Sequence, residues 1–360
     1  LTESNNLPAL LRQNGLFCCW KYETQPDSDK PTKVPYNPQT GGRTKVSADV
    51  AETGKLVLNA KLFGDIIRRM PDDMVTLSTN KERPVHLSCG DSNFEIPSIP
   101  ADDYPQMPEV GGSYRVSVRQ RALRSMIDQT AFAISTNESR PIHTGALFEI
   151  SDEGLTMVAI DGFRMAIRKE PLEKHEGGQV SFVTPGAALN EVEKICKETD
   201  KPAEITPGKH HILFEVGDTQ LICRRLEGEF LDYKSAIPQK NPIVVTVERK
   251  SLIESIDRVS VVISEKLKCP VRCLFDHDRE MLSAKTGSGE AKDVCGISAT
   301  GGRLEIGFNN RYLLDALRYA PTDTVRIELN TAVSPAIITP AKGEENFLYM
   351  VLPVRLKAQG

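Results

Sequence analysis

Arg303–Leu329 reads RLEIGFNNRYLLDALRYAPTDTVRIEL. A short alternating strand opens it, a helix of about three turns follows, Pro-Thr-Asp breaks the helix, and a second strand begins. The same plan stands at Gln179–Thr206, QVSFVTPGAALNEVEKICKETDKPAEIT, and at Lys55–Thr79, KLVLNAKLFGDIIRRMPDDMVTLST. Leu56, Val180 and Leu304 start the equivalent strands, 124 residues apart each time. A period of that length marks a duplicated unit larger than a solenoid repeat.

A second kind of half-unit alternates with the first. Tyr114–Ser135, YRVSVRQRALRSMIDQTAFAIS, and Ile243–Ser264, IVVTVERKSLIESIDRVSVVIS, each carry a VxV strand and then a helix, with Val118 and Val247 equivalent. Alternating strands follow, GALFEISDEGLTMVAID in one case and RCLFDHDREMLSAKT in the other. An echo around Tyr104 (DDYPQMP) and Tyr233 (LDYKSAIP) closes two units. Each half therefore reads βαβββ, and the class is α+β. Complete units occupy 114–242 and 243–360, while 44–113 holds only the second half of a first unit.

Upstream the text changes. LPALLRQNGLFCCWKYETQPDSDKPTKVPYNPQTGGR has no VxV strand leading into a basic amphipathic helix, and two texts meet near Gly42–Val46. The first domain is therefore incomplete. The apolar faces of its helix and strands need a cover, for which Leu10, Leu11, Leu16, Phe17 and Trp20 are the candidates.

Composition narrows the function. With 39 % hydrophobic and 26 % charged residues the chain is ordinary globular protein. A net charge of −4 argues against binding nucleic acid through overall basicity but leaves room for a local basic surface. No apolar run approaches the ~20 residues that span a bilayer, and LTESNNLPALLRQ lacks the basic-then-apolar form of a secretory leader. Eight scattered cysteines form no paired CxxC set, so reduced thiols in a cytoplasmic protein are expected and no structural zinc.

The sequence contains no GxxxxGK[ST], HExxH or GxSxG. TGSGEAK at Gly287 reads as a hairpin turn, and Asp276–Asp278 as a strand-to-strand turn rather than a metal patch. His210 and His211 are neighbours on a strand and point to opposite faces. No catalytic residue, metal or cofactor is expected.

The repeated halves, with IDGFRMA at Ile160–Ala166, FLDYKSAIP at Phe230–Pro238, EIGFNNRYLLDAL at Glu305–Leu317 and YMVLPVRL at Tyr349–Leu356, resemble the bacterial sliding clamp family, the beta subunit of DNA polymerase III. The resemblance covers about 44–357. It implies a DNA-clamp fold in which two chains close head to tail around duplex DNA, with helices lining the hole. It implies a non-catalytic processivity factor whose partners are duplex DNA without sequence preference, a replicative polymerase, a clamp loader and repair proteins.

On the helices of every half-unit stand basic residues that the resemblance turns toward DNA. They are Lys61, Arg68, Arg69, Arg119, Arg121, Arg124, Lys194, Lys197, Arg249, Lys250, Arg258, Arg311 and Arg318, joined by Asn309 and Tyr312. A solvated helix face carries such residues in any protein; recurrence is what groups them.

Family likeness also implies a groove for short linear peptides. Its residues here are His143, Thr144, Gly162, Phe163, Arg164, Met165, Pro238, Ile243, Met350, Leu352, Pro353 and Arg355. Met and Leu suit Leu or Phe anchors, and Arg164 suits a peptide carbonyl or carboxylate. Each apolar member is equally readable as core. The implied dimer contacts are Phe94 and Ile96 on one edge, Val262 and Ile263 on the other.

Residues 7–43 resemble the opening segment of phage and mobile-element primase-like proteins, in CWKYETQPDSDKPTKVPYNPQTGGR. That implies a chimeric ancestry, natural or from misassembly, without catalytic carboxylates. Two other readings stay open: a ring-incompetent monomer that only binds clamp-binding peptides, and a primase-related fragment.

Overall fold

The computed structural model describes strands Trp20–Glu23 and Thr32–Pro35 and then residues 57–356, apart from 72, 80–83, 100–107, 113, 173, 177, 264–268 and 343–345. The junction near Gly42–Val46, Tyr104 and the cover residues Leu10, Leu11, Leu16 and Phe17 lie outside the described residues.

Each half-unit is a strand, a helix and three strands, and in three of the five a side-chain cap starts the helix where alternation stops. Helix α1, Ala60–Arg69, begins at Asn59, whose side chain accepts from the Leu62 amide at 2.9 Å. The second helix, α2, spans Gln120–Ala131, and α3 spans Gly186–Ile195. Helix α4, Arg249–Ser260, is capped by Glu248, which accepts from the Lys250 and Ser251 amides. Helix α5, Asn310–Arg318, is capped by Asn309.

Two compact units are present. One, 1–109 with 218–221, contains α1. There Thr76–Thr79, Val85–Cys89 and Ser92–Ile96 form an antiparallel sheet, and Val57–Leu58 pairs with Ser98–Ile99. Its buried core is Ile66, Val85, Leu87 and Ile96, edged by Leu58, Phe63 and Met70. Met74 is 80 % exposed, Leu62 44 % and Leu77 42 %. Within the same unit Trp20–Glu23 pairs with Thr32–Pro35.

The other unit, 110–217 with 222–360, contains four βαβββ halves. In it α2 packs on α3 and α4 on α5. One nine-stranded sheet runs Val180–Pro185, Gly145–Ser151, Gly154–Ile160, Arg164–Glu170, Phe347–Val351, Ala336–Pro340, Thr324–Leu329, Ile243–Glu248, Ser298–Thr300. Two smaller sheets complete it: five strands around Arg115–Arg119 and Pro202–Pro207, and four in the order Gly289–Gly296, Arg279–Thr286, Val271–Asp276, Leu304–Phe308. The turns expected at Asp276–Asp278 and Gly287 are hairpins between these last strands.

One core position breaks the apolar alternation. Glu280 lies on the inward face with Leu282 and Ala284, is 1 % exposed, and neither carboxyl oxygen has a hydrogen-bond partner. Phe275 and Cys295 flank it in register, and the Cys273 thiol lies beside it. Burial pushes its carboxyl up to about 7. A raised folded pKa means that the native state holds a proton the unfolded chain has already lost, so stability is full below the unfolded pKa of about 4.3 and falls as pH rises through about 7. Glu280→Gln removes that dependence. In urea titrations the variant should match the wild type near pH 4 and exceed it at pH 8 by of order 3 kcal/mol, since each tenfold change in proton affinity is worth ~1.4 kcal/mol. Parallel pH profiles for the two proteins would contradict this account of Glu280.

Candidate partner groove and nucleic-acid face

The groove candidates converge on one turn. Asp161 Oδ1 accepts from the Phe163 and Arg164 amides at 2.9 and 3.1 Å, the side-chain turn that an Asp-Gly pair favours. Gly162, at φ +92°, completes it in a conformation that L side chains avoid. Phe163 is thereby set outward, 58 % exposed, with its ring stacked on Tyr312 at 5.8 Å.

Beyond the turn, Arg164–Arg168 pairs with Phe347–Val351, which brings Met165 opposite Met350 across 185 positions of sequence. Both methionines are buried, at 1 % and 8 %, in a cluster with Ile160, Ile167, Tyr233 and Ile337. The chain then leaves the sheet: the Leu352 amide donates to Phe163 O at 2.9 Å and the Val354 amide to Gly307 O at 2.8 Å. Pro353 and Arg355 follow on this tail, Leu352 and Pro353 half-buried and Arg355 exposed.

A cleft of about 460 Å³ adjoins the cluster, with a floor of Ile167, Ile237, Phe347 and Leu348 and with Lys169 and Lys234 among its lining residues. Tyr233, from the short helix Tyr233–Ala236, donates its hydroxyl to Glu149. Pro238 is half-buried just beyond Ile237. His143 is buried edge-on against Phe230 at 5.6 Å, and burial with the Arg140 charge holds its pKa below the usual imidazole value. Thr144 donates to Pro141 O at 2.7 Å.

Two assignments change. Ile243 is a buried strand residue opposite Leu329, three strands from Phe347–Val351, or about 14 Å at ~4.8 Å per strand. It is 5 % exposed, packed within the sheet rather than on the expected link between units. Arg164 turns inward: Nε donates to Asp161 Oδ2 at 2.8 Å, Nη1 donates to Asp315, and the guanidinium lies 4.7 Å from the Tyr312 centroid and 5.5 Å from that of Phe132. Of the missed residues, Asp161 was legible as an Asp-Gly turn signal. Tyr233 and Ile237 stood within FLDYKSAIP and Asp315 within EIGFNNRYLLDAL, but nothing local marked them, or Phe132, as neighbours of this turn.

The basic residues are interleaved with carboxylates. Arg121 meets Asp200 at 2.8 Å, Arg124 meets Glu198 at 3.3 Å, and Lys194 meets Glu191 at 2.7 Å. Arg318 grips both oxygens of Asp257, Arg258 meets Asp293 at 2.6 Å, and Lys250 reaches Glu254 at 4.0 Å. On α1, Arg68 and Arg69 share Asp65. Lys61, Lys197 and Arg311 are exposed.

Four members of that set have structural tasks. Arg119 pairs with the buried Glu170 at 2.8 Å. Arg249 donates to Thr322 O at 2.8 Å and to carbonyls at the end of α5. Asn309 is the α5 cap, and Tyr312 lies half-buried under Phe163.

The expected dimer contacts also shift. Phe94 is 40 % exposed, but Ile96 is core at 4 %. Val262 and Ile263 are half-buried, and the Val262 carbonyl accepts from Thr286 at 2.8 Å. The exposed valines on that edge are Val261, at 84 %, and Val294, at 57 %. Among the described residues no group of three or more His, Cys, Asp or Glu is placed to hold a metal, and no helix is long and apolar enough to cross a membrane.

Comparison with known proteins gives a consistent result. Family models of the DNA polymerase III beta subunit match in three places: the N-terminal domain at 41–108, the central domain at 117–232 and the C-terminal domain at 234–355. The beta sliding clamp of Staphylococcus epidermidis is 32 % identical over 334 residues, covering 92 % of this chain and 88 % of that protein. Among solved structures, a putative DNA polymerase III beta subunit from Eubacterium rectale superposes with a TM-score of 0.81 at 26 % identity, covering 94 % of this chain and 91 % of that one. The DNA polymerase sliding clamp from Bacillus subtilis also gives 0.81 at 26 %, covering 93 % and 84 %.

The glycine of EIGFNN has a steric reason. A Cβ on Gly307 would stand 2.5 Å from Leu356 Cδ2 and 2.9 Å from Val354 O, so the tail lies directly over it. Gly307→Val should lift residues 352–356, costing about 1–3 kcal/mol as overpacking does. Hydrogen exchange of the Leu352 and Val354 amides should quicken at least tenfold; unchanged protection would contradict this packing.

Proposed function

Because this chain belongs to the DNA polymerase III beta subunit family, the beta sliding clamps that act as non-catalytic processivity factors, we propose that it holds a replicative polymerase to duplex DNA by enclosing the duplex rather than by gripping it. The observation that carries this mechanism is the cation–carboxylate mosaic on the helices. Arg121, Arg124, Lys194 and Arg318 each stand beside an acid within 3.3 Å, and their side chains are 42–56 % exposed. Such a surface offers phosphates shared, screened charge, which favours weak contacts without sequence information.

In this reading the polymerase, a clamp loader and repair proteins dock through short peptides whose Leu or Phe anchors lie against Phe163, Leu352 and the cleft floor of Ile167, Ile237, Phe347 and Leu348, backed by the buried Met165–Met350 pair. Two copies close the ring. Phe94 of one copy meets the Val261–Val294 edge of the other, where Gly289–Gly296 is the free edge strand of its four-stranded sheet. The site of action is cytoplasmic, with the DNA. The primase-like resemblance of residues 7–43 is a reading of that segment's ancestry and adds no activity to this function.

One observation favours a second reading, a monomer that binds peptides without forming a ring. Among the described residues of the unit of 1–109, the buried core cluster is Ile66, Val85, Leu87 and Ile96, while Leu62, Met74, Val75, Leu77 and Phe94 are exposed.

Light scattering on the 39.8 kDa chain, across a concentration series, separates the two. The ring reading expects a dimer, and expects Val261→Glu combined with Val294→Glu to give monomers. It also expects loaded protein to stay on nicked circular DNA and to be lost when the circle is linearised. Monomers of the unaltered chain at every concentration would overturn the ring and leave the peptide-binding reading.

A further inference from the structure

We propose that Asp315 is a positioning residue for partner binding: through Arg164 it fastens the Asp161–Phe163 turn to helix α5. This rests on the groove reading above and extends it to residues that touch no partner.

The geometry is a closed stack. Phe132, from the end of α2, and Tyr312, from α5, both present ring faces to the guanidinium of Arg164, at the start of its strand, 5.5 and 4.7 Å from the ring centroids. Phe132 in turn stacks on Tyr319 at 4.9 Å and 8°, and Tyr349 donates its hydroxyl to Tyr319 O at 3.1 Å. Two aspartates close the ends: Asp161 at Nε and Asp315 at Nη1. The side chains of Arg164 and Asp161 are each 13 % exposed and that of Asp315 31 %. A planar, always-charged guanidinium suits such a site, since it can accept ring faces and hydrogen-bond in its plane at once.

The consequence reaches the groove by two short steps. Asp161 gives its other oxygen to the Phe163 and Arg164 amides, and the Phe163 carbonyl holds the Leu352 amide. Arg164 therefore sets where the exposed Phe163 ring stands and where the tail leaves the sheet. Its second anchor, Asp315, is carried by the helix that also carries Arg311 and Arg318. Loss of the Asp315 charge leaves Arg164 one partner short in a half-dry site, and the turn loses its fixed position.

The test uses the full-length chain. A fluorescein-labelled pentapeptide, Ser-Leu-Ser-Leu-Phe, is titrated by anisotropy against wild type, Asp315→Asn, Asp315→Glu and Glu328→Gln, the last removing an equal charge from the Arg326–Glu328 pair. Hydrogen exchange of the Leu352 amide is measured on each protein without peptide. Asp315→Asn should weaken the peptide about fivefold or more, the scale of losing one partner of a partly desolvated charge pair, and should quicken Leu352 exchange. Asp315→Glu should restore both, and Glu328→Gln should alter neither. Unchanged affinity and exchange in Asp315→Asn would overturn the proposal, as would an equal loss in Glu328→Gln. A wild type that ignores the peptide while Asp315→Asn still quickens Leu352 exchange would remove the groove reading and keep the fastening itself.

Discussion

The pairing of Arg164–Arg168 with Phe347–Val351 is the contact on which the larger unit depends. It joins strands from 145–185 to strands from 243–351 in one continuous sheet. Backbone hydrogen bonds alone would accept other registers; the side chains choose this one. Met165 and Ile167 face the buried cluster while Arg164 faces the Phe132–Tyr312 stack. A slip by one residue would send the methionine outward and a guanidinium into the hydrocarbon. The groove floor, the Arg164 site and the exit of the tail are thus three results of one register.

The same economy governs charge. An acidic chain that must keep DNA inside it without holding it still has reason to keep its arginines close to acids. On the helix face proposed to meet DNA, each pair at 2.7–3.3 Å would lower the field that a phosphate meets while the exposed guanidiniums and ammoniums stay within its reach. At physiological salt the screening length is about 8 Å, so these charges act on the nearest phosphates and little further. The balance suits a surface that must let the duplex move.

The fold was readable because its signals are local and repeated. Strand alternation and the hairpin turns are each written within a few residues, and the 124-residue echo gave them an order. The site was readable in part. Motif resemblance drew Gly162, Phe163, Met165, Met350 and Leu352 together, and the strand register does place them side by side. It failed where a residue type has two uses. Ile96 and Ile243 are as apolar as any contact residue but lie in cores. Arg249 is as basic as Arg121 but spends its donors on the end of α5. No spacing rule distinguishes those roles, because Arg249 bonds carbonyls 68 to 73 positions away and Arg164 reaches Asp315 across 151.

Arg164 shows why the distinction matters for recognition. Drawing the guanidinium fully out toward a partner's carboxylate would break the Nε bond to Asp161 and the Nη1 bond to Asp315 and leave two ring faces. Removing one member of a buried hydrogen-bonded charge pair costs about 2–5 kcal/mol, whereas a new hydrogen bond to a charged group returns about 1.5–3 kcal/mol. The exchange does not favour release. In the groove reading proposed above, partner affinity then draws on apolar contact at Phe163 and Leu352, surfaces that are exposed or half-buried. A site of that kind accepts many short peptides of similar shape, which is what a shared docking point on a clamp requires.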